Sequence, residues 1–540
     1  MTAAASPTER PRSERKLPRH SMVATFAVAA VAGGNIMLAP GNASGSTGIA
    51  APAASAPVAS QSTVNWADCP SDAQPDKQCA TVKVPKVYGK SGSGTVRIAL
   101  ARIPATGTAD QRIGSLFWDA GGPGGPSTEF IDSVAARMSP AVRKRFDFVA
   151  FDPRGIGAST PSLGTCEGPW PIRPADTTTP NWATVQRKSA ADLAAANRAC
   201  VRNARNIAGA MGTNNVVRDL EQLRKAVGDR KLTFWGTSYG TRIGYVYALK
   251  YPDKVRALVL DGNIDPSSNY IGLPEIGGTA QDLALQFIRN HDPSAYQAVM
   301  ETGDSLVETP IPLDNGGVFS HWDWLDVAGN FVAFQSAWGD LSAAAEIVNL
   351  ARGTDEQSEL ARARLAAWKQ LPNSNEGGGF SMVNCLDYDQ RLTAKQETQI
   401  SQVNARDYPV FGGSLSMMYA IGCRGLNSID PDPIPLVTKN KQRAKLGDVP
   451  VLLANATKDG STPLAWAKSM QAAFDRPLLK YKSSQHVIWG ATSSSCVNKP
   501  IDRFVIQGKE LTQSRTCPFA PSPPSVTSSA LTTDQWGQLR

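Results

Sequence analysis

Leu232-Thr-Phe-Trp-Gly-Thr-Ser-Tyr-Gly-Thr-Arg-Ile-Gly-Tyr-Val-Tyr-Ala-Leu249 is the stretch around which the rest of this sequence organises itself. The apolar run at 232–235 reads as a buried strand, and an apolar pattern of helical period starts at Ile243. Between them lies Gly236-Thr-Ser-Tyr-Gly240. A strand that turns straight into a helix here puts the central serine in a strained backbone conformation and crowds the positions two before and two after it, where glycine fits. Such a turn lifts the Ser238 hydroxyl clear of the sheet edge and aims the N–H groups of the following helix at the same spot. The strand and helix on either side are what lift this pattern above chance in a chain with 46 glycines.

Working outward from it, buried strands are expected at 114–119, 146–151 and 255–260, with helical spacing at Val217, Leu220, Leu223 and Val227. Alternating residues at 81–88 and 95–103 read as a hairpin. Strands alternating with helices imply an α/β fold with a mostly parallel sheet covered on both faces. The rhythm breaks from 265 to 445, where amphipathic patterns such as 280–288 and 360–368 are joined by loops such as 373–379. This reads as a large, mainly helical cap inserted into the sheet. Sheet-like sequence resumes at 449–454 and 478–481, with Thr462 expected as N-cap and Pro463 as first residue of a helix over 464–474. The expected divisions are 1–60 signal peptide and linker or pro-segment, 61–264 first part of the core, 265–445 cap, 446–517 second part of the core, and 518–540 tail. A Pro- and Thr-rich excursion is expected over 160–212.

Composition excludes some functions. The chain has 540 residues, 41% hydrophobic and 19% charged, with a formal charge of +8. A net +3 falls before residue 21, and no dense basic run remains elsewhere, so a nucleic-acid partner is not expected. That basic start precedes an apolar stretch over 22–32 and then small residues with no charge until Asp68, the pattern of a secretory signal too short for a comfortable membrane span. Export, with no stable membrane insertion after signal removal, leads to an extracellular or cell-wall location. Eight cysteines agree with this: Cys69, Cys79, Cys166, Cys200, Cys385, Cys423, Cys496 and Cys517. Eight allow 105 pairings, of which joining sequence neighbours is the simplest. No C-x-x-C spacing and only four histidines give no zinc pattern, and neither metal nor cofactor is expected.

A serine hydroxyl is a weak nucleophile until an imidazole, itself oriented by a carboxylate, takes its proton. Of His20, His291, His321 and His486, only His486 follows a core strand. Asp459, in the loop after the preceding strand and next to Gly460, is the carboxylate expected to orient it. The chain order Ser238, Asp459, His486 is a recurrent order of nucleophile, acid and base. The developing oxyanion would be held by the N–H of Tyr239 and a second from the turn at 121–125, most simply Gly122.

Five motifs in order, Gly121-Gly-Pro-Gly-Gly125, Asp152-Pro-Arg-Gly155, Gly236-Thr-Ser-Tyr-Gly240, Asp459-Gly-Ser-Thr-Pro463 and His486, resemble the proline-iminopeptidase branch of the α/β-hydrolase fold. More closely, the chain resembles the secreted bacterial tripeptidyl aminopeptidases, with their signal peptide, large cap and cysteine-containing C-terminal region. It departs at Ala120, where the iminopeptidase loop has histidine. The resemblance implies a serine exopeptidase cutting near a free peptide N-terminus, and such an enzyme needs a carboxylate in the cap for the substrate ammonium. Glu275, Asp387 and Asp389 are the residues expected for it, the last two pinned by a Cys385 disulfide. The same triad would equally serve an esterase or lipase-like hydrolase, and a binding protein that has lost catalysis is the remaining possibility.

Overall fold

In the computed structural model, residues 62–69, 76–164, 166, 180–204, 206–370, 376–426 and 432–521 are described. The expected signal segment, most of the C-terminal tail, and parts of the 160–212 and 373–379 stretches lie outside them. The strands are β1 (Ala67–Asp68), β2 (Gln78–Pro85), β3 (Thr95–Ile103), β4 (Gly114–Asp119), β5 (Phe146–Phe151), β6 (Leu232–Thr237) and β7 (Val255–Asp261). A two-stranded hairpin of β8 (Ile311–Pro312) and β9 (Val318–Phe319) follows, then β10 (Val451–Ala456), β11 (Leu478–Tyr481) and β12 (Arg515–Cys517).

Among the described residues, ten of these strands form one sheet in the order β1-β2-β3-β5-β4-β6-β7-β10-β11-β12. Pairing is antiparallel from β1 to β5 and parallel from β5 across to β12. The fold is thus α/β, and its mostly parallel sheet follows from strands that are apolar on both faces. Successive residues show this: Phe117 and Phe234 pack into one core with helices Thr213–Ala226 and Gly240–Lys250. Their neighbours Trp118 and Trp235 pack into the other core, against Ile131 and Phe504 of helices Ser127–Ala135 and Ser495–Gln507. Period-two alternation with both faces buried leaves no polar face to show in the sequence.

Between β7 and β10 the regular structure among the described residues is helical apart from the short β8–β9 hairpin, and part of this insertion has its own core around Val299, Trp324, Leu341 and Val348. Several boundaries differ from those expected. The 160–212 stretch contains the 22-residue helix Trp182–Asn203, and a helix begins at Glu376 within the stretch expected as loop. Gly379 is needed there for packing: a Cβ would lie 2.9 Å from the Gly124 Cα. Pro463, not Thr462, is the N-cap of helix Leu464–Phe474, because Thr462 is committed elsewhere. β12 lacks an apolar run, and it is held by pairing with β11 and by the Cys496–Cys517 bridge. The other bridges, Cys69–Cys79, Cys166–Cys200 and Cys385–Cys423, also join sequence neighbours.

Candidate active site

Ser238 stands at the turn between β6 and the helix Gly240–Lys250 with φ +54°, a left-handed conformation that costs a non-glycine residue roughly 1–3 kcal/mol. Tight packing imposes it. A Cβ on Gly236 would come within 2.3 Å of the Gly240 carbonyl oxygen, and one on Gly240 within 3.0 Å of Asp119 Oδ1. The Ser238 N–H donates to the Asp261 carbonyl at 2.9 Å, while its own carbonyl accepts from the Thr241 N–H and hydroxyl. The serine backbone is therefore pinned from both sides, and the side chain stays half-buried rather than enclosed.

Asp459 and His486 lie in the loops after β10 and β11. One carboxylate oxygen, Asp459 Oδ1, accepts from the N–H groups of Ser461 (2.9 Å) and Thr462 (2.7 Å) and from His486 Nδ1 (2.9 Å). A carboxylate on Nδ1 makes that nitrogen the donor, so the neutral ring presents its lone pair at Nε2. The imidazole is 8% exposed, and its backbone N–H donates to the Ala333 carbonyl of the helical insertion. The end of β7 is the neighbour Ser238 and His486 share. Asp261 takes the serine N–H, and a Cβ on the next residue, Gly262, would sit 3.1 Å from His486 Cε1. An imidazole so oriented can accept a proton from an alcohol and return it to a leaving group.

The glycine turn after β4 closes the third side. A Cβ on Gly121, whose φ is +99°, would lie 2.8 Å from Ser238 Cβ and 3.2 Å from the Tyr239 nitrogen. Only glycine lets the turn press this closely on the serine. The Tyr239 amide precedes the first helical turn, where N–H groups have no intrahelical acceptor, and Gly122 follows directly in the turn. Two such amides suit a developing oxyanion.

The family described as alpha/beta hydrolase fold matches residues 121–297, and the family described as TAP-like protein matches 408–517. The chain is 28% identical over 493 residues to the tripeptidyl aminopeptidase of Streptomyces lividans, covering 85% of this chain and 87% of that protein. It is 28% identical to the serine protease Hip1 of Mycobacterium tuberculosis, covering 82% and 89%, and 27% identical to a carboxylesterase B of the same species, covering 80% and 84%. The chain has the α/β-hydrolase fold. It is a serine hydrolase, and its resemblance to the tripeptidyl aminopeptidases spans most of the chain.

The three carboxylates expected for a substrate ammonium differ in burial. Asp387 is a correction: it is fully buried, and both its oxygens are occupied. Oδ1 accepts from the Thr213 N–H at 2.7 Å, while Oδ2 accepts from the Thr213 hydroxyl at 2.6 Å and from Arg242 at 2.9 Å. A carboxylate closed in this way has nothing to offer a ligand. Glu275 and Asp389 are exposed. Asp152 and Arg154 of the second motif are structural in this hydrolase. Asp152 accepts from the Thr128 and Ala158 N–H groups, and buried Arg154 pairs with Asp219 at 2.5 Å.

Sequence reasoning missed several residues around the site. Asp261 lies just past the strand expected at 255–260, and its carboxylate accepts from the Ile488 and Trp489 N–H groups of the His486 loop. Burial, reinforced by the nearby Asp459, pushes its carboxyl up to about 7. Asp119, beneath the glycine turn, accepts from the Gly121 N–H and is pushed up to about 8, chiefly by burial. Thr462, expected as a helix cap, has its hydroxyl 3.4 Å from His486 Nδ1. Among the described residues, no helix is long and apolar enough to cross a membrane, and no group of three or more His, Cys, Asp or Glu could hold a metal ion.

Proposed function

We propose that this hydrolase is an exported exopeptidase that releases short peptides, tripeptides above all, from free peptide N-termini through an acyl-enzyme on Ser238. One observation carries the reading: His486 is oriented by Asp459 at 2.9 Å and packs against the end of β7, which also bonds the backbone of a serine held at φ +54°. In the proposed sequence His486 takes the Ser238 proton as the oxygen attacks the scissile carbonyl, and the amides of Tyr239 and Gly122 hold the oxyanion. The imidazolium, stabilised by Asp459, then protonates the leaving amine. Water enters along the same route to release the acyl fragment.

The relatives named as tripeptidyl aminopeptidase and serine protease support a peptide substrate. The helical insertion over 265–445 is proposed as the cap that limits how much chain enters, with Glu275 or Asp389 meeting the substrate ammonium. Four disulfides among the described residues support an oxidising, extracellular setting. The test has two parts. Ser238→Ala is expected to lower kcat/KM by roughly 10⁴-fold or more with the fold intact. A free tripeptide anilide should be cleaved far faster than its N-acetylated form; equal rates would reject the exopeptidase reading.

A second reading, carboxylester hydrolysis on the same residues, is favoured by the relative named carboxylesterase B. Acyl transfer to water does not itself distinguish ester from amide. Labelling of Ser238 by a phosphonylating probe would exclude a binding protein without catalysis under either reading.

A further inference from the structure

Phe334 lies in an extended link (φ −124°, ψ 112°) between the helices His321–Val332 and Trp338–Leu350 of the insertion, and its side chain is 41% exposed. A single exposed phenylalanine is ordinary on a protein surface. This one is held rigid on both sides against the loop that carries His486. The preceding Ala333 carbonyl accepts from the His486 N–H at 2.7 Å, and the following Gln335 N–H donates to Gln485 Oε1 at 2.9 Å. The Gln335 side chain in turn accepts from the Ser483 hydroxyl at 3.1 Å and donates to the Ala520 carbonyl at 3.0 Å. Ala333 also rests on the residue after Asp459, where a Cβ on Gly460 would be 2.7 Å from the Ala333 Cα.

These bonds aim the Phe334 ring at the base. Its centroid is 6.1 Å from that of the His486 ring, with the planes at 65°. Chemistry decides which part of a substrate meets it. The imidazole that accepts the serine proton must hand it to the leaving group, so the leaving residue stands on the imidazole side of the scissile bond. The acyl portion lies toward the oxyanion amides instead.

We propose that Phe334 is the apolar wall that receives the leaving-side residue, so that the enzyme prefers substrates in which the group just after the scissile bond is apolar. This rests on the reading of Ser238, His486 and Asp459 given above, but not on whether the bond is an amide or an ester. The backbone bonds that hold the segment are made by main-chain atoms on either side of Phe334 and by Gln335, so truncating the ring spares them.

The experiment uses the full chain and two substrate series. One keeps three N-terminal residues constant and varies the fourth among Gly, Ala, Leu and Phe; the other keeps one acyl group and varies the alcohol among methyl, butyl and benzyl. Phe334→Ala is expected to lower the Leu-to-Gly or benzyl-to-methyl ratio of kcat/KM at least tenfold, the order expected for lost apolar contact in a pocket. Phe334→Leu should restore much of the ratio. A third series varying the acyl side at a fixed leaving group should keep its ratios. An equal loss across all leaving groups, or a shift confined to the acyl series, overturns the proposal. If the wild type cleaves only the esters, the exopeptidase reading fails while Phe334 is still judged by the alcohol series. Turnover that survives Ser238→Ala sinks both.

Discussion

Arg242 and Asp387 form an ion pair of 2.9 Å with both side chains buried, joining the helix that follows Ser238 to the helix Glu376–Asp387 of the insertion. The guanidinium also bonds Asn384 and lies over the rings of Tyr239 and Tyr388. Thr213 closes the network, its hydroxyl 2.6 Å from both Asp387 Oδ2 and the Tyr239 hydroxyl. The residue whose amide is proposed to hold the oxyanion is therefore braced by a carboxylate from the insertion. Asp387→Ala strands a buried cation and is expected to cost roughly 3–5 kcal/mol in urea denaturation, with Asp387→Asn costing less. A rise in KM with unchanged stability would instead make Asp387 a substrate ligand.

Asp459→Asn removes the charge that stabilises the imidazolium and lets the amide N–H₂ face His486 Nδ1, selecting the wrong tautomer. The expected result is a fall in kcat of roughly 10⁴-fold. Activity within tenfold of wild type would mean that another carboxylate orients the ring, and buried Asp261 would be the next to replace.

Gly121→Ala introduces a Cβ 2.7 Å from the Thr237 carbonyl oxygen at a φ of +99°. The turn must move off the elbow and take the Gly122 amide with it. Loss of one oxyanion donor predicts a drop in kcat of roughly 10²–10³-fold. Phosphonylation followed by mass spectrometry should slow as well, since that adduct uses the same amides.

Asp119 makes stability depend on pH. Its carboxyl is pushed up to about 8 by burial and by Asp152, against the single Gly121 N–H that favours the charged form. Between an unfolded value of about 3.9 and this folded value, the native state binds a proton that the unfolded chain has lost. Stability must then fall as pH rises through that window, and Asp261 acts in the same direction up to about 7. Thermal denaturation from pH 5 to 8 should show a shallower decline in Asp119→Asn than in wild type. Superimposable slopes would show that the carboxyl is already ionised at the low end.

The parallel strands other than β12, and the elbow, are legible because their residues interact with near neighbours or repeat with a fixed period. The run Leu232–Thr237 announces a strand buried on both faces, and Gly236 and Gly240 announce a sharp turn whatever lies elsewhere. The start of helix Glu376–Asp387 is not legible locally, because Gly379 answers to Gly124 and Gly378 to Cys166, both far away in the chain. Asp387 is illegible for the same reason. A carboxylate beside Cys385 looks free until Arg242 and Thr213 arrive from the core to occupy it.

By itself the sequence determined the alternation that makes a mostly parallel sheet, the glycine-flanked serine at one strand end, and the shortage of histidines that singled out His486. These are properties of residue type and short-range order, and they survive in any fold the chain could take. Which carboxylates are spent on buried cations, which aromatic ring faces the imidazole, and which loop leans on Ser238 were decided only in three dimensions. Each depends on segments a hundred or more residues apart meeting at one sheet edge, where packing of both cores sets the distances and burial sets the charges.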